Sequence, residues 1–508
     1  MRKKDLLEKP YDALNEIVFY LYYQSEPVKK SKLTDLFDLS LPTLNDYLQI
    51  LKELVYEEHL EKNIRIVQKG DLISLEKTDD FPMKRVTDLF LDQSIKYHMI
   101  LNLYEDDTLD WNFFQEEYSI SSATYYRRIN ELNGLLAEFN IAIKRGRLVG
   151  DEKQIRYFYY SFFWFLFENK TSFSKQTANQ YINLIELLQT KLDVLFDDTE
   201  ILQIKLWMKV TFKRHNRNKS QLSDNSLDNL DRPMFKEING AFEAYMKNND
   251  RFYSLQESQI FYDFFCSLRN FSPNSSFANR LAAMQRSEES YLWHMVKLTM
   301  RYLKQIGVIH SSYPETKMRY IENLTFQFYS QLYYFDGYIQ DFESDYDNDQ
   351  RQIYPVPIHS ELVKKVSQFC GKEFGCQLGL KFESSLATLN FFIILNQLTE
   401  LSDDKVKIGV THSLSPFLTG IVIELVTKYL GQRYPVRIEA FNNDTYYDLV
   451  VSNTYDADIV DNGEYFYAYY NHTNPYDLRK IREIVDKIAK EHTMMQTALG
   501  EISSIKKD

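Results

Sequence analysis

"SISSATYYRRINELNGLLAEFNIAIKRG", residues 119–146, reads as a turn, a helix and a small basic hairpin in succession. On a helix advancing by about 100° per residue, Tyr125, Ile129, Leu132, Leu136 and Phe139 fall in one apolar stripe that must bury against something. Ser121 stands where a helix N-cap is needed, its hydroxyl suited to an orphan backbone N–H of the first turn. Arg127 points away from the stripe, with Ser122, Thr124 and Tyr126 near the same N-terminal end, and Arg128 sits to the side. Lys144, Arg145 and Arg147 crowd the hairpin, which turns at Arg145-Gly146.

Upstream, "VTDLFLDQSIKYHMILNLYE" (86–105) is predicted as one long helix and "LDWNFFQEEY" (109–118) as a second. The turn Ser119-Ile120-Ser121 leads into the third. The same order occurs once before. "YDALNEIVFYLYY" (11–23), "VKKSKLTDLFD" (28–38) and "PTLNDYLQILKELVYE" (42–57) are three helices, the last with Pro42 in its first turn, where a missing N–H costs nothing. "IRIVQKGDLISLEK" (64–77) alternates apolar and polar residues around Lys69-Gly70-Asp71, a hairpin signature. Three helices and a β-hairpin make a winged helix-turn-helix, so the first 156 residues are predicted as two such modules, 1–80 and 81–156.

A recognition helix presents outward residues at its N-terminal end to the major groove. There an arginine can pair with guanine O6 and N7, worth roughly 1–3 kcal/mol of discrimination. Arg127 is the candidate for that role, with Ser122, Thr124, Tyr126 and Arg128 beside it. Lys144, Arg145 and Arg147 suit the phosphate backbone, in a salt-sensitive clamp. In the first module Thr43, Asn45 and Gln49 face outward. Asn45 and Gln49 have the chemistry to read adenine, but Asp46 and Glu53 on the same face repel phosphate. That helix either reads bases or orients the second module.

Net charge does not carry the nucleic-acid reading, because the 508 residues sum to −12. The basic surface is local: residues 121–156 hold seven Lys and Arg against four Asp and Glu. The 38 Tyr and 35 Phe against 15 Gly and 12 Pro favour long, well-packed helices. "YFYYSFFWFLF" (157–167) is too short to cross a bilayer and is expected to be a buried helix. No signal-peptide pattern opens the chain. Three cysteines, Cys266, Cys370 and Cys376, without a CxxC pair fit a reducing cytoplasm and no cysteine zinc site. No nucleotide-loop, zincin or nucleophile-elbow motif occurs, so a metabolic enzyme is disfavoured, and no cofactor or metal is expected.

Beyond the modules, residues 157–275 and 276–398 read as two helical bundles. Residues 402–508 change character: "KVKIGVTH", "YPVRIEAF", "YYDLVVSN" and "EYFYAYYN" are strands, set among helices at 415–431 and 475–493. That alternation implies a small α/β domain with a largely parallel sheet. The fold class expected is thus multidomain and mainly α, with an α/β tail.

The tandem modules, and above all "SISSATYYRRINELNGLLAEFNIAIKRG", resemble the Mga/AtxA-type virulence regulators of Gram-positive bacteria, and the likeness runs through the whole chain. The resemblance implies two PTS regulation domains (PRD-like) in the helical middle and a tail similar to the EIIB component of a sugar phosphotransferase system. It implies a transcription regulator of double-stranded DNA, a homodimer whose assembly or activity responds to histidine phosphorylation by phosphocarrier proteins. His215, flanked by Arg214 and Arg217, is the candidate in the first bundle, and His294 and His310 are those in the second. The tail departs from a working EIIB. The loop after its first strand, "GVTHSLSPFLTG" (409–420), has no cysteine, which favours a dimerisation or docking surface; His412 is the weaker phosphate candidate there. The alternative is a PTS-linked phosphotransfer or sensor protein with secondary DNA binding. An RNA-binding antiterminator is disfavoured because residues 11–57 are helical.

Overall fold

The two helix-turn-helix turns are nearly superimposable in their chemistry. A computed structural model describes residues 1–166, 181–214, 232–267, 275–305, 315–337 and 406–488, with 179, 369, 372 and 373. Within those spans 2, 25, 250, 252, 288–289, 414–415, 431–435 and 471–473 are not described. In the first unit α1 (Tyr11–Tyr23), β1 (Val28–Lys29), α2 (Lys30–Phe37) and α3 (Leu41–Glu57) precede the hairpin β2 (Ile64–Lys69) and β3 (Leu72–Lys77). Helix α2 ends on Asp38 in the left-handed region (φ 49°), and Ser40 caps α3 by accepting from the Thr43 N–H at 3.2 Å. In the second unit α6 (Trp111–Tyr118) ends on Ser119 (φ 51°), and Ser121 caps α7 (Ser122–Leu136) by accepting from the Thr124 N–H at 3.3 Å. Left-handed residue, apolar residue, serine cap: the same three-residue solution recurs, which is the internal repeat expressed as backbone geometry.

Two sequence expectations are corrected here. The long helix expected over 86–105 is two, α4 (Lys84–Leu91) and α5 (Ile95–Asp106), because Ser94 caps α5 through the Tyr97 N–H at 3.2 Å. The segment 28–38 is helical only from Lys30, since Val28 and Lys29 first pair with Ile73 and Leu72 as a third strand. In the second unit the hairpin β4 (Ala142–Lys144) and β5 (Arg147–Val149) has three register pairs. Its extra contact is one bond, from the Leu109 N–H to the Gly146 carbonyl at 2.8 Å, matching the Lys30 N–H to Asp71 carbonyl bond (2.9 Å) of the first.

The helical middle comprises α8 (Glu152–Leu166), α9 (Ile182–Leu192), α10 (Asp198–Arg214), α11 (Pro233–Asn248), α12 (Leu255–Cys266), α13 (Ser276–Ser287), α14 (Tyr291–Gln305) and α15 (Glu315–Tyr334). The aromatic run is a buried helix, as its length required: Tyr157, Phe158, Tyr159, Tyr160, Phe162 and Trp164 are all buried on α8. One apolar cluster extends from the first unit through these helices without a break. Cys266 is buried and unbridged.

The tail is a four-stranded parallel sheet, β6 (Val406–Thr411), β7 (Val436–Ala440), β8 (Tyr447–Ser452) and β9 (Gly463–Ala468), in the order β7-β6-β8-β9. Helix α16 (Pro416–Leu430) has two apolar faces: Val422, Val426 and Leu430 cover the sheet, while Phe417, Leu418, Ile421 and Leu425 join the main core. A short α17 (Ala457–Val460) and a helix over 475–488 complete the described tail. At Gly409 a Cβ would come within 2.8 Å of the Tyr447 ring, so no larger residue fits that strand crossing.

Candidate nucleic-acid interface

Helix α7 buries the stripe its sequence dictates: Tyr125, Leu132 and Leu136 are buried, as is Phe139 in the 3-10 turn that follows, and Ile129 is half-buried against the same core. The opposite face is open. The Arg127 side chain is 62% exposed, and its one carboxylate neighbour among the described residues, Glu131, lies a loose 3.8 Å away. Such an exposed helical pair contributes little and exchanges readily for another anion. Tyr126 is exposed beside it, and Ser122 is exposed at the first turn. Thr124 is half-buried, its hydroxyl 3.1 Å from that of Ser121.

Arg128 is placed differently. Its side chain is only 15% exposed, 3.3 Å from Glu8 and bonded to both oxygens of Glu131 at 2.8 and 3.1 Å. Glu8 in turn accepts from the Ile95 and Lys96 N–H groups, at the positive N-terminal end of α5. Burial pushes the Glu8 carboxyl up, and Arg128 opposes that shift. Arg128 therefore ties α7 to α5 and to the chain's first residues, a partner more than a hundred positions away that no local pattern announces.

Lys144, Arg145 and Arg147 are all exposed on the wing, with no ion pair among the described residues. The wing is held to α7 by Asn133, which accepts from the Ile143 N–H at 2.6 Å and donates to its carbonyl at 3.1 Å. Sequence reasoning missed Asn133, because a lone polar residue late in a helix looks like a solvated face. Arg145 (φ 51°) and Gly146 (φ 73°) form the tight turn, and a Cβ at Gly146 would sit 3.1 Å from the Leu109 carbonyl oxygen. Helix, wing and turn together present a cationic ridge whose charges sit at fixed offsets.

On α3 the outward residues are already engaged. Asn45 accepts from the Lys30 ammonium at 2.8 Å, Gln49 donates to Glu53 at 2.8 Å, and the Thr43 hydroxyl lies 2.7 Å from that of Ser40. Base contacts there would have to replace those bonds.

His294 is exposed on α14, its backbone N–H bonded to the Ser290 carbonyl. His215 and His310 lie outside the described residues. Arg214, expected to help pair a phosphate beside His215, is fully buried. It makes two parallel bonds to Glu152, at 2.8 and 3.0 Å, within a cluster that also holds Arg156 and Glu257. His412 is half-exposed near Tyr469, its backbone N–H bonded to the Thr419 hydroxyl at 3.0 Å. No group of three or more His, Cys, Asp or Glu side chains suited to a metal ion occurs among the described residues, and no helix there is long and apolar enough to cross a membrane.

A family model, the Mga helix-turn-helix domain, matches residues 79–163, which contain α4 to α7, the wing and most of α8. The chain is also similar to a Streptococcus pneumoniae protein (serotype 4, strain TIGR4) named "Putative trans-acting regulator". The two are 22% identical over 490 residues, covering 89% of this chain and 92% of the relative.

Proposed function

We propose that the chain is a DNA-binding transcription regulator of the Mga type that reads duplex DNA with α7 and grips the backbone with the 142–149 wing; the family match over residues 79–163 supports this reading. The observation that carries this is the open face of α7: an exposed Arg127 beside exposed Tyr126 and Ser122, next to three wing cations without ion pairs among the described residues. Arg127 makes the base contacts. Ser122, Thr124 and Tyr126 contact phosphate or base edges, and Lys144, Arg145 and Arg147 neutralise phosphates. Arg128 acts through α7's position and not through DNA.

The finer reading is a homodimer joined through the tail and tuned by histidine phosphorylation. The edge strand β7 pairs only with β6 among the described residues, which supports assembly through that edge, and His294 is exposed as a phosphoacceptor must be. Joining two such chains raises affinity through effective concentration without new contacts.

The test is selection from a random duplex library, followed by titration of the enriched site at two salt concentrations. Binding should weaken steeply with salt. Arg127→Ala should lose about tenfold or more on the enriched site while binding non-specific duplex almost as before. A mutant that matched wild type on the enriched site would remove α7 as the reading helix.

A further inference from the structure

The outward face of α7 does not end at Arg127. At about 100° per residue, Ala123, Arg127, Asn130 and Gly134 share a strip about 60° wide, opposite the buried stripe from Tyr125 to Leu136. Ala123, Asn130 and Gly134 are exposed, as Arg127 is. Tyr126 flanks the strip on one side; on the other, Glu131 is drawn off by its two bonds to Arg128. The Asn130 amide has no hydrogen-bond partner among the described residues.

The internal repeat shows how that amide is left open. Aligning the two serine caps, Ser40 and Ser121, puts Asp46 at the place of Arg127, Gln49 at that of Asn130 and Glu53 at that of Gly134. On α3 the Gln49 amide is occupied, because it donates to Glu53 one turn later at 2.8 Å. On α7 the residue one turn later is a glycine and offers Asn130 nothing to bond. Glycine weakens a helix relative to alanine. A Cβ at Gly134 would meet nothing within 4 Å, so packing against the described residues does not call for it.

The spacing fits the duplex. Residues three apart on a helix are displaced by about 4.5 Å along its axis, against about 3.4 Å between stacked base pairs. Helix residues three apart read successive bases in zinc fingers. An asparagine amide pairs with adenine N6 and N7 as an arginine pairs with guanine O6 and N7. Asparagine is the shorter side chain, so it reaches a base edge only where the helix lies deep in the groove, and Ala123 and Gly134 leave the strip without bulk on either side of Arg127 and Asn130.

We propose that Asn130 is a second base reader, pairing with an adenine next to the guanine taken by Arg127, and that Gly134 keeps its amide free and lets α7 approach the base edges. The assignment rests on the DNA-reading function proposed above and adds to it a specific pair of neighbouring bases.

Full-length wild type and variants are each put through the random-duplex selection, and the wild-type site is then titrated with its A·T pair replaced by each other pair. Wild type should enrich adjacent G·C and A·T pairs and bind the substituted duplexes about tenfold or more weakly. Asn130→Ala should bind all of them within about twofold of one another while still rejecting a change at the G·C pair, which Arg127→Ala in turn accepts. Gly134→Gln supplies a neutral partner one turn from Asn130 and should lose the adenine preference as well. Neither variant should melt below wild type, since both positions are exposed and both substitutions favour a helix. A wild-type site with no A·T pair beside the Arg127-dependent G·C pair, or an adenine preference that survives in Asn130→Ala, overturns the assignment and leaves α7 as the DNA-reading helix. Survival of that preference in Gly134→Gln overturns the part given to Gly134. A wild-type chain that enriches no duplex overturns the proposed function and the assignment together.

Discussion

Two adjacent arginines on α7 have opposite roles, and the difference is where each side chain ends. Arg127 ends in solvent, so its loss should cost DNA affinity and little stability. Arg128 ends against Glu8, a carboxylate whose side chain is 5% exposed. Arg128→Ala leaves that charge buried with its two backbone donors and the Lys96 charge but without its guanidinium partner, which should cost about 1–3 kcal/mol of stability, read as a lower melting temperature. The sequence shows both as one RR pair; only the fold separates them. A second buried carboxylate sets a pH dependence. Glu200, in the first turn of α10, is raised to about 7, chiefly by burial and then by the Asp197 charge. A carboxyl raised on folding stabilises most below its unfolded value, and that contribution is lost as pH rises toward 7. Glu200→Gln keeps the acceptor for the Asp197 N–H without the charge. It should match wild type near pH 5 and exceed it by roughly 1–3 kcal/mol near pH 8, seen in urea midpoints at the two pH values.

Among the elements, α7 and the wing are held as one body because Asn133 bonds both the N–H and the carbonyl of Ile143. Asn133→Leu leaves both groups without their side-chain partner and frees the hairpin to swing. The expected result is a salt dependence of DNA binding shallower by as much as 2–3 units of log–log slope, close to that of the Lys144, Arg145 and Arg147 triple alanine variant, since phosphate contact depends on placement. A slope like wild type would mean the wing stays in register without Asn133. Legibility varies at this scale for physical reasons. The α7 stripe, its Ser121 cap and both hairpin turns were plain in the sequence, because each is set by residues within a turn or two of one another. The break between α4 and α5 was not, because the apolar period runs on through Asp92-Gln93-Ser94 and the Ser94 hydroxyl is also engaged, at 2.7 Å, by the Leu6 carbonyl. The same holds for β1, whose two residues are strand only because β3 lies beside them. Of the candidate site, the outward face of α7 and the wing cations were readable. Arg128's partner, Arg214's burial and Asn133's bonds depend on contacts between segments that periodicity does not report.

For the whole molecule, the tail is part of the first helix-turn-helix unit's packing. Asp477, fully buried, accepts from the Tyr22 hydroxyl on α1, from the Tyr467 hydroxyl at 2.6 Å and from the Tyr470 N–H at 3.2 Å. Burial pushes its carboxyl up, while the two tyrosine hydroxyls and Lys77 oppose the shift. The Ala468 N–H donates to the Asp79 carbonyl at 3.0 Å, and the Phe19 and Tyr470 ring centroids lie 4.1 Å apart. Deleting 402–508 would therefore expose Phe19 and Tyr22, so any loss of DNA binding in that truncation would mix regulation with damage to α1. Tyr22→Phe is the cleaner probe: it keeps the ring that packs 4.9 Å from Tyr476 and removes only the hydroxyl. Asp477 then keeps two donors instead of three, at a cost of about 1–3 kcal/mol. Hydrogen exchange should show this as faster exchange at α1, at the Ala468 amide and in the helix over 475–488, with α7 and α8 unchanged. Acceleration spread evenly over the chain would instead mean that tail and first unit unfold together with the rest. If the tail does brace α1 as these contacts require, the Tyr22→Phe chain should bind the enriched duplex with wild-type salt slope and altered affinity, because the wing is untouched and only the placement of the first unit has changed.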